Sequence, residues 1–448
     1  MVTRPVDDVT SPARTDSEPD LRKVKRAAIA AFLGTSLEYY EFYVYGSAAA
    51  LIFGRVFFPA QDAFVGTLLS LATFAIAYLV RPVAAAVLGT FGDRIGRKKM
   101  LIFILTLMGT STFLIGCLPT YEQVGIWAPI LLICLRILQG VSVAGEQAGS
   151  STLTLEHAPA GRRAFFTSFT PAGSSAGFLI ATLVFATVAM LPDDMLLSWG
   201  WRVPFWASFV LVIGAYLVRR HLDEPEVFVE ETDESGEPEA SPLATLLRTH
   251  RAALIRVVII SLYATIHQIP PIFAVAFATS PAIGISRSTM LWVSVACFTV
   301  QLIVFPFAGL AADRFGRKPL FIAGVFGCGV MIFAYFGAIT SGNLVLIFVA
   351  AIAMNGLLGV LPNAIYPSFF GEMFNVKVRF TGLAVGTQLG FVVGGLSPTI
   401  AWAMIGDGGT NWMPVALLFF GLCTLSSIAA LTARETYRTP LTKLGNPV

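Results

Sequence analysis

The sequence predicts an all-α integral membrane protein with twelve transmembrane helices in two six-helix bundles. Its composition, the number of its apolar runs and an internal repeat point to this fold. Of 448 residues, 56% are hydrophobic and only 13% are charged, whereas about a quarter of the residues in a soluble domain are charged. A bilayer crossing takes about 20 residues. The chain is therefore long enough for a dozen crossings and the loops between them.

Twelve apolar runs mark the predicted helices. Only helices and closed barrels satisfy their backbone hydrogen bonds in hydrocarbon, and runs of this length indicate helices. In the eleventh run, glycines recur every four residues from Gly382 to Gly394, which predicts a close helix contact. The runs cover residues 27–53, 63–88, 100–118, 127–155, 165–190, 203–219, 252–277, 289–311, 319–340, 344–370, 381–405 and 412–432.

A ten-residue motif occurs twice. Gly-Thr-Phe-Gly-Asp-Arg-Ile-Gly-Arg-Lys begins at Gly89, and Gly-Leu-Ala-Ala-Asp-Arg-Phe-Gly-Arg-Lys begins at Gly309. A second repeat, at nearly the same offset, matches Glu156 and Arg163 with Glu372 and Arg379. Basic clusters after membrane helices would explain the arginines and lysines, but not the matched Gly, Asp and Glu. The spacing is too long for a solenoid and indicates a duplicated half-protein.

The distribution of Lys and Arg predicts the orientation. One side of the alternating runs collects the basic clusters at 22–26, 94–99, 162–163 and 314–318, whereas the other side has only Arg55, Arg202 and Arg287. Basic residues accumulate on the cytoplasmic side of membrane proteins. We therefore expect both termini to lie in the cytoplasm.

This reading divides the chain into five segments. A polar cytoplasmic tail, 1–24, precedes an N-terminal bundle at 25–219. An acidic linker at 220–251, read as a solvated segment, leads to a C-terminal bundle at 252–432 and a cytoplasmic tail at 433–448.

Several function classes are not expected. The five cysteines lie in apolar runs without close pairing, which argues against disulfides and metal sites. No basic face is available for nucleic acid. The repeated motif lacks the Gly-Lys-Ser/Thr ending of a phosphate loop, and no catalytic triad motif has suitable context. We expect no enzyme activity, no metal and no cofactor, with a proton gradient as the energy source.

Four stretches resemble a known family. The repeated motif is similar to the loop motif of the major facilitator superfamily. Glu38-Tyr-Tyr-Glu-Phe-Tyr-Val-Tyr-Gly46, Arg81-Pro82, and Arg136-Ile-Leu-Gln-Gly140 with Gly145-Glu146 resemble its metabolite:proton symporters. The resemblance extends from about Lys25 to Leu431. The family usually has Trp and Asp where this chain has Tyr39 and Glu41, a departure that bears on substrate identity.

Acidic residues within the membrane are candidates for proton coupling. Ionisable groups are costly in hydrocarbon, so each suggests a function. Glu38 and Glu41 lie on one face of the first helix, roughly 60° apart, and Glu146 lies in the fourth. Such an acid could bind and release a proton when substrate engages its arginine partner. We assign proton carriage to Glu41 or Glu146, with Glu38 as the next candidate.

The candidate substrate-binding residues centre on arginine, whose planar fork suits carboxylates. Three alternatives remain open. Arg136 could form a permanent ion pair with Glu38 or Glu146, Arg81 could extend to the membrane surface, and His267 and the tyrosines could serve packing alone. The full set is Arg136, Arg81, Tyr40, Tyr43, Gln139, His267 and Gln388.

The resemblance also implies a gate, because the loop motif of the superfamily latches the cytoplasmic side when the cavity faces outward. We expect Asp93 at a helix N-terminus, where the dipole favours it, paired with Arg162 or Arg163. Asp313 would do likewise with Arg379. The candidate gating residues are Gly89, Asp93, Arg94, Gly96, Arg97, Arg162, Arg163, Asp313, Arg317 and Arg379.

Together these features predict a secondary transporter, a multi-pass monomer of the inner or plasma membrane. The expected activity is proton-coupled import of a small carboxylate-bearing metabolite by alternating access. The resemblance suggests shikimate-like acids, di- or tricarboxylates, 2-oxo acids, or zwitterions such as proline and betaine. The alternative is a proton-driven antiporter or exporter on the same fold. The predicted partners are the small organic acid or zwitterion, protons and the lipid bilayer.

Overall fold

The computed structural model describes residues 21–95, 97–142, 146–209, 242–406 and 409–445. Residues 21–23, 85–95, 97–102, 105, 146, 242, 244 and 442 are described by their backbone alone. Every regular element within these ranges is a helix. The predicted all-α class is therefore confirmed for the described part of the chain.

Within the described residues a helix lies at each predicted position, although only residues 203–209 of the sixth are described. Of those described, nine are long and apolar enough to cross a membrane, namely α2, α4, α5 and α7–α12. The first, third and sixth predicted spans are not among these nine, although α1 and α3 are helical and α6 begins where predicted. In chain order the long helices are α1 Leu21–Leu51, α2 Ala63–Ile95, α3 Arg97–Gly116, α4 Trp127–His157, α5 Arg163–Val188, α6 at 203–209, α7 Arg251–Ala278, α8 Arg287–Phe315, α9 Arg317–Ser341, α10 Leu344–Gly371, α11 Val376–Ile405 and α12 Met413–Leu431.

The repeated motif is more helical than the sequence predicted. We expected helices to end near residues 88 and 311, yet α2 continues to Ile95 and α8 to Phe315. Helix α8 ends where Gly316 adopts a φ of 103°, a left-handed conformation that glycine accepts without steric cost. Most of each motif thus forms the last turns of a membrane helix.

Helix packing follows the internal repeat. We refer to residues 21–209 and 242–445 as the two sequence halves. Within the halves, α1 packs on α5 and α7 packs on α11. Between them, α5 contacts α8 and α11 contacts α2. Each contact thus has its counterpart six helices away, as a duplicated chain predicts.

Glycines permit the closest of these contacts. A Cβ at Gly390 of α11 would lie 2.4 Å from the Cβ of Ser261 on α7, which confirms the predicted close approach. At Gly177 of α5, a Cβ would lie 2.2 Å from the Ser36 carbonyl oxygen on α1. Such distances exclude any side chain unless the backbones separate.

Two helices lose their regular hydrogen bonding near the middle of the span. Helix α7 has a 3₁₀ segment, Ser261–His267, followed by a π segment, Ile269–Phe273, and α10 has a π segment, Ile352–Leu358. Pro270 and Pro271 lack backbone donors, which favours the break in α7. Irregular backbone at membrane depth is tolerated only inside the protein, and it is typical of functional sites.

Candidate functional site

A chain of four buried polar side chains joins α1, α3 and α4 at the centre of the first sequence half. The Thr112 hydroxyl donates to Glu41 Oε2 at 2.7 Å, and Gln139 Nε2 donates to Thr112 Oγ1 at 2.7 Å. Arg136 Nη1 in turn donates to Gln139 Oε1 at 2.6 Å. All four residues are at most 2% exposed. The arginine and the carboxylate are therefore linked through two neutral groups.

Aromatic rings surround the Arg136 guanidinium. Its carbon lies 4.0 Å from the ring centre of Tyr45, 4.6 Å from that of Phe42 and 5.0 Å from that of Phe74. Nη2 donates to the Phe74 carbonyl at 3.2 Å, while the buried Nε has no hydrogen-bond partner. Rings stabilise the cation but accept no conventional hydrogen bond from Nε.

Arg81 lies on the same aromatic group. It is 2% exposed, and its guanidinium carbon is 4.0 Å from the ring centre of Phe42 and 4.3 Å from that of Tyr78. The alternative that Arg81 extends to the membrane surface is wrong, because its side chain is buried. Phe42 thus brings Arg81 and Arg136 together, as the placement of two basic groups at membrane depth suggested.

The predicted acids lie in different surroundings. Glu38 is 2% exposed, and the side chain of Glu146 lies outside the described part of the structure. The alternative of a permanent ion pair between Arg136 and Glu38 or Glu146 stays a prediction. The buried hydrogen bonds of Arg136 go to Gln139 on the next turn of α4 and to the Phe74 carbonyl of α2, both of which are neutral acceptors.

Other predicted side chains are spread across the centre. The Tyr40 hydroxyl donates to the Pro204 carbonyl at 2.8 Å, and the Tyr43 hydroxyl donates to the Pro271 carbonyl at 3.1 Å. His267 Nε2 and Gln388 Oε1 are buried without hydrogen-bond partners. The Tyr43 hydroxyl is thus hydrogen-bonded to the broken segment of α7. His267 and Gln388, in the second sequence half, each have one buried polar atom without a hydrogen-bond partner.

Three central residues were missed by the sequence analysis. Thr112 bridges Glu41 to Gln139. Gln268 donates to the Tyr78 hydroxyl at 2.9 Å, and Gln301 accepts from Ser175 at 2.6 Å. The last two bonds join the sequence halves. These residues are neutral, so they could not be selected as charges within membrane helices. The irregular segments of α7 and α10 are the feature that marks their depth in the membrane.

The centre is closely packed. A cavity of about 10 Å³ lies between α7, α8 and α10, with Ser294, Cys297 and Asn355 among its lining residues. This volume is about that of one water site. With the halves joined at this level, the structure represents a closed arrangement.

The face at which α1 begins and α12 ends, here called the terminal face, is closed by reciprocal ion pairs. Arg379 Nη1 lies 2.9 Å from Glu156 Oε1, and Arg163 Nη1 lies 3.4 Å from Glu372 Oε1. Each pair joins the two halves, and each residue is the repeat counterpart of a residue in the other pair. Glu372 also accepts from Arg317 at 3.2 Å.

Asp313 has the predicted position but a different partner. Its carboxylate accepts from the backbone N–H groups of Ala164 at 3.0 Å and Phe165 at 2.9 Å, at the start of α5. The predicted pairing with Arg379 is wrong, because Arg317 one turn away reaches Asp313 at 3.1 Å and Glu156 holds Arg379. Arg162 is exposed. The side chains of Asp93, Arg94 and Arg97, and the whole of Gly96, lie outside the described residues, as does the detail around Gly89.

The ion pairs at the opposite face are more exposed than those at the terminal face. Asp193, after α5, forms ion pairs with Arg55 at 2.9 Å and with Arg287 at the start of α8. Phe64 stacks on Trp402, whose indole Nε1 donates to the Phe64 carbonyl at 3.0 Å. The Asp193 side chain is 52% exposed, so water and salt screen its pairs.

Hydrogen bonds from Arg55 and Arg287 lower the pKa of Asp193 below its usual value, which is about 3.9. The ion pairs are thus fully present above that pH and are lost only as pH falls through the lower pKa of the folded state. We expect the opposite face to be equally closed from neutral pH to about pH 5, and to open more in Asp193→Asn. Distances between spin labels at positions 198 and 288, in a chain without its native cysteines, would measure this. A marked opening of the wild type between pH 7 and 5 would contradict it.

Comparisons with known proteins place these features in context. The family described as "Sugar (and other) transporter" matches residues 27–228 and again residues 217–444. The chain is 34% identical over 422 residues to the shikimate transporter of Escherichia coli K12, covering 93% of this chain and 96% of that protein. It is 33% identical to the proline/betaine transporter of the same strain, with coverage of 94% and 85%.

Solved structures show the same fold. The proton:xylose symporter XylE of the major facilitator superfamily, bound to 6-bromo-6-deoxy-D-glucose, superimposes with a TM-score of 0.71 at 19% identity. The match covers 94% of this chain and 98% of that one.

Proposed function

Because this chain belongs to the sugar and other transporter family of the major facilitator superfamily, we propose that it imports a small carboxylate-bearing metabolite together with protons. Its curated relatives are transporters of small metabolites, so the chain is a membrane transporter and not an enzyme. We propose the class of compound that it transports, the gradient that drives transport and the residues that bind substrate and protons.

The buried Arg136 supports the carboxylate. Its Nε–H lacks an acceptor, and its hydrogen bonds to Gln139 and Phe74 go to neutral oxygens. An incoming carboxylate could accept from Nε and offset the charge, since arginine binds such planar groups in a bidentate manner. Arg81, which shares the Phe42 ring, would hold a second polar group. The relatives are named for shikimate, proline and betaine, and each of these compounds contains a carboxylate.

The arrangement at Glu41 supports proton coupling. The Thr112 hydroxyl has two acceptors in reach, Glu41 Oε2 at 2.7 Å and the Met108 carbonyl at 3.0 Å. When Glu41 is ionised, Thr112 donates to it. When Glu41 is protonated, it can donate to Thr112, whose own proton turns to Met108. Both protonation states are thus hydrogen-bonded, and Gln139 transmits the change to Arg136.

Both faces are closed in this structure, so we propose that the two halves, as bundles at 25–219 and 252–432, open them alternately. The terminal face is assigned to the cytoplasm because the basic clusters lie there. There the gate would consist of Glu156–Arg379, Arg163–Glu372 and Asp313 at the start of α5, with the motif around Asp93 acting likewise. A monomer contains every part of this mechanism.

Removing one carboxylate should weaken this gate. Glu156→Gln removes the charge that pairs with the buried Arg379 from the other half, and a hydrogen bond to a charged group is worth about 1.5–3 kcal/mol. We expect the terminal face to open more often, seen as longer distances between spin labels at 160 and 376. Glu122→Gln, an exposed acid changed in the same way, is the control. Equal distance distributions in both variants would remove Glu156 from the gate.

The proposal as a whole is tested by flux in proteoliposomes. Labelled shikimate, 2-oxoglutarate, citrate, benzoate, proline and betaine would be offered with and without an inward proton gradient. Accumulation of one compound only under the gradient supports import. The alternative, a proton-driven antiporter or exporter, predicts instead that preloaded vesicles lose the compound when the same gradient is imposed.

A further inference from the structure

A cavity of about 440 Å³ lies on the terminal face, away from the central site. Gly161 lines it from the loop before α5 and Arg163 from the first turn of α5. Asp313 and Arg314 line it from the end of α8, and Arg438 and Thr439 from the segment after α12. Both sequence halves and the C-terminal tail therefore contribute walls. The cavity can exist only while these three parts are together.

The lining is cationic. It has three arginines and one acid, and that acid, Asp313, is already engaged by two backbone N–H groups and by Arg317. Arg163 donates to the Thr439 carbonyl at 2.9 Å, which fixes the tail against the first half. Arg314 and Arg438 are exposed and lie near the rings of Phe315 and Tyr437, at 5.4 and 4.9 Å. Neither forms an ion pair with a described carboxylate.

The cavity borders the lipid-facing surface. Along α8, Ile303, Phe307 and Leu310 are 61%, 65% and 44% exposed. Their spacing of four and three residues puts them on one helix face, and Arg314 continues it by one turn. The next residue, Phe315, is 62% exposed. Arg314 therefore lies where an apolar membrane-facing stripe ends, at the depth of lipid headgroups.

We propose that this cavity binds a phosphate group, carried by an acidic phospholipid of the adjoining leaflet or by a free phosphate compound. Arginines bind phosphate oxygens in a bidentate manner, and basic pockets between membrane helices hold acidic headgroups. Because the cavity has walls from both halves, the ligand binds the closed terminal face better than the open one. Binding therefore stabilises closure, and closure strengthens binding by the same factor.

The test uses the full chain and a matched pair of double variants. Arg314→Gln/Arg438→Gln removes two charges from the cavity, whereas Arg434→Gln/Lys443→Gln removes two exposed charges from the tail outside its lining. One arm compares nanodiscs of phosphatidylcholine with nanodiscs containing phosphatidylglycerol. The other adds inorganic phosphate to protein in detergent, against chloride at matched ionic strength. Thermal unfolding and the distance between labels at 160 and 376 are read in each arm.

In wild type, we expect phosphatidylglycerol to raise the unfolding midpoint and to increase the closed population. The cavity variant should need about tenfold more of the anion for the same shift, as expected when charge-assisted hydrogen bonds are lost, and the tail variant should match wild type. A saturable shift with inorganic phosphate identifies the free anion as sufficient. A shift with phosphatidylglycerol alone identifies the headgroup. No shift in either arm, or equal loss in both variants, would overturn the proposal.

Discussion

Arg136→Ala is expected to reduce substrate uptake by at least ~30-fold, because truncating a buried, hydrogen-bonded charge partner costs about 2–5 kcal/mol. The substitution removes the only side-chain donor to Gln139 Oε1 described here and the cation enclosed by Tyr45, Phe42 and Phe74. Initial uptake rates of the accepted compound in proteoliposomes would measure the effect, together with substrate-induced shifts in the unfolding midpoint.

Two further variants separate recognition from folding. Arg136→Lys keeps the charge but not the planar fork, so we expect it to recover binding only in part. Arg256→Ala truncates an arginine that contacts Thr432, far from the centre, and should transport normally. If Arg136→Ala bound and carried the substrate as well as Arg256→Ala does, the assignment of the carboxylate site would be wrong.

Glu41→Gln is expected to separate substrate movement from the proton gradient. Glutamine has nearly the same shape and can still bond to Thr112, but it cannot take up and release a proton. Gradient-driven accumulation should therefore fall at least ~10-fold, toward simple equilibration. Exchange of labelled for unlabelled substrate at equal concentrations, which needs no net proton movement, should continue.

The other acids provide the comparison. Glu38→Gln and Glu146→Gln change the same chemistry at the two alternative positions. Thr112→Val keeps the carboxylate but removes the hydroxyl that joins it to Gln139, and should slow coupled uptake more than exchange. Loss of gradient-driven accumulation in Glu38→Gln or Glu146→Gln, with Glu41→Gln unaffected, would transfer proton carriage to that residue.

The sequence predicted the fold well because membrane helices are encoded locally. Each span needs its own apolar run, and the nine described helices that are long and apolar enough to cross a membrane begin within a few residues of their predicted starts. The repeat also had a local cause, since both copies of the motif keep Gly, Asp and Arg in the same order. The prediction of two helix ends was wrong, because hydropathy does not distinguish a helix that continues into water from a loop.

Partners within the site were harder to predict. Arg136 and Glu41 were visible as charges in hydrocarbon, but the bridge through Thr112 depends on how α3 is rotated against α1. The assignment of Asp313 to Arg379 failed for a similar reason. The sequence allowed either Arg317 or Arg379 as the partner of Asp313. The packing of the terminal face brings Arg379 to Glu156 and Arg317 to Asp313.

The two faces are closed by ion pairs of unequal strength, and this affects which side of the substrate-free transporter opens. One face is fastened by several buried ion pairs, and the other by Asp193, whose pairs are half in water. A transporter without substrate opens more often at the face whose ion pairs are weaker. It therefore spends most of its substrate-free time open on the side of Asp193. In the proposed orientation that side meets the outside medium. Since apparent affinity scales with the fraction of molecules ready to bind, such a carrier would bind its substrate near its intrinsic affinity.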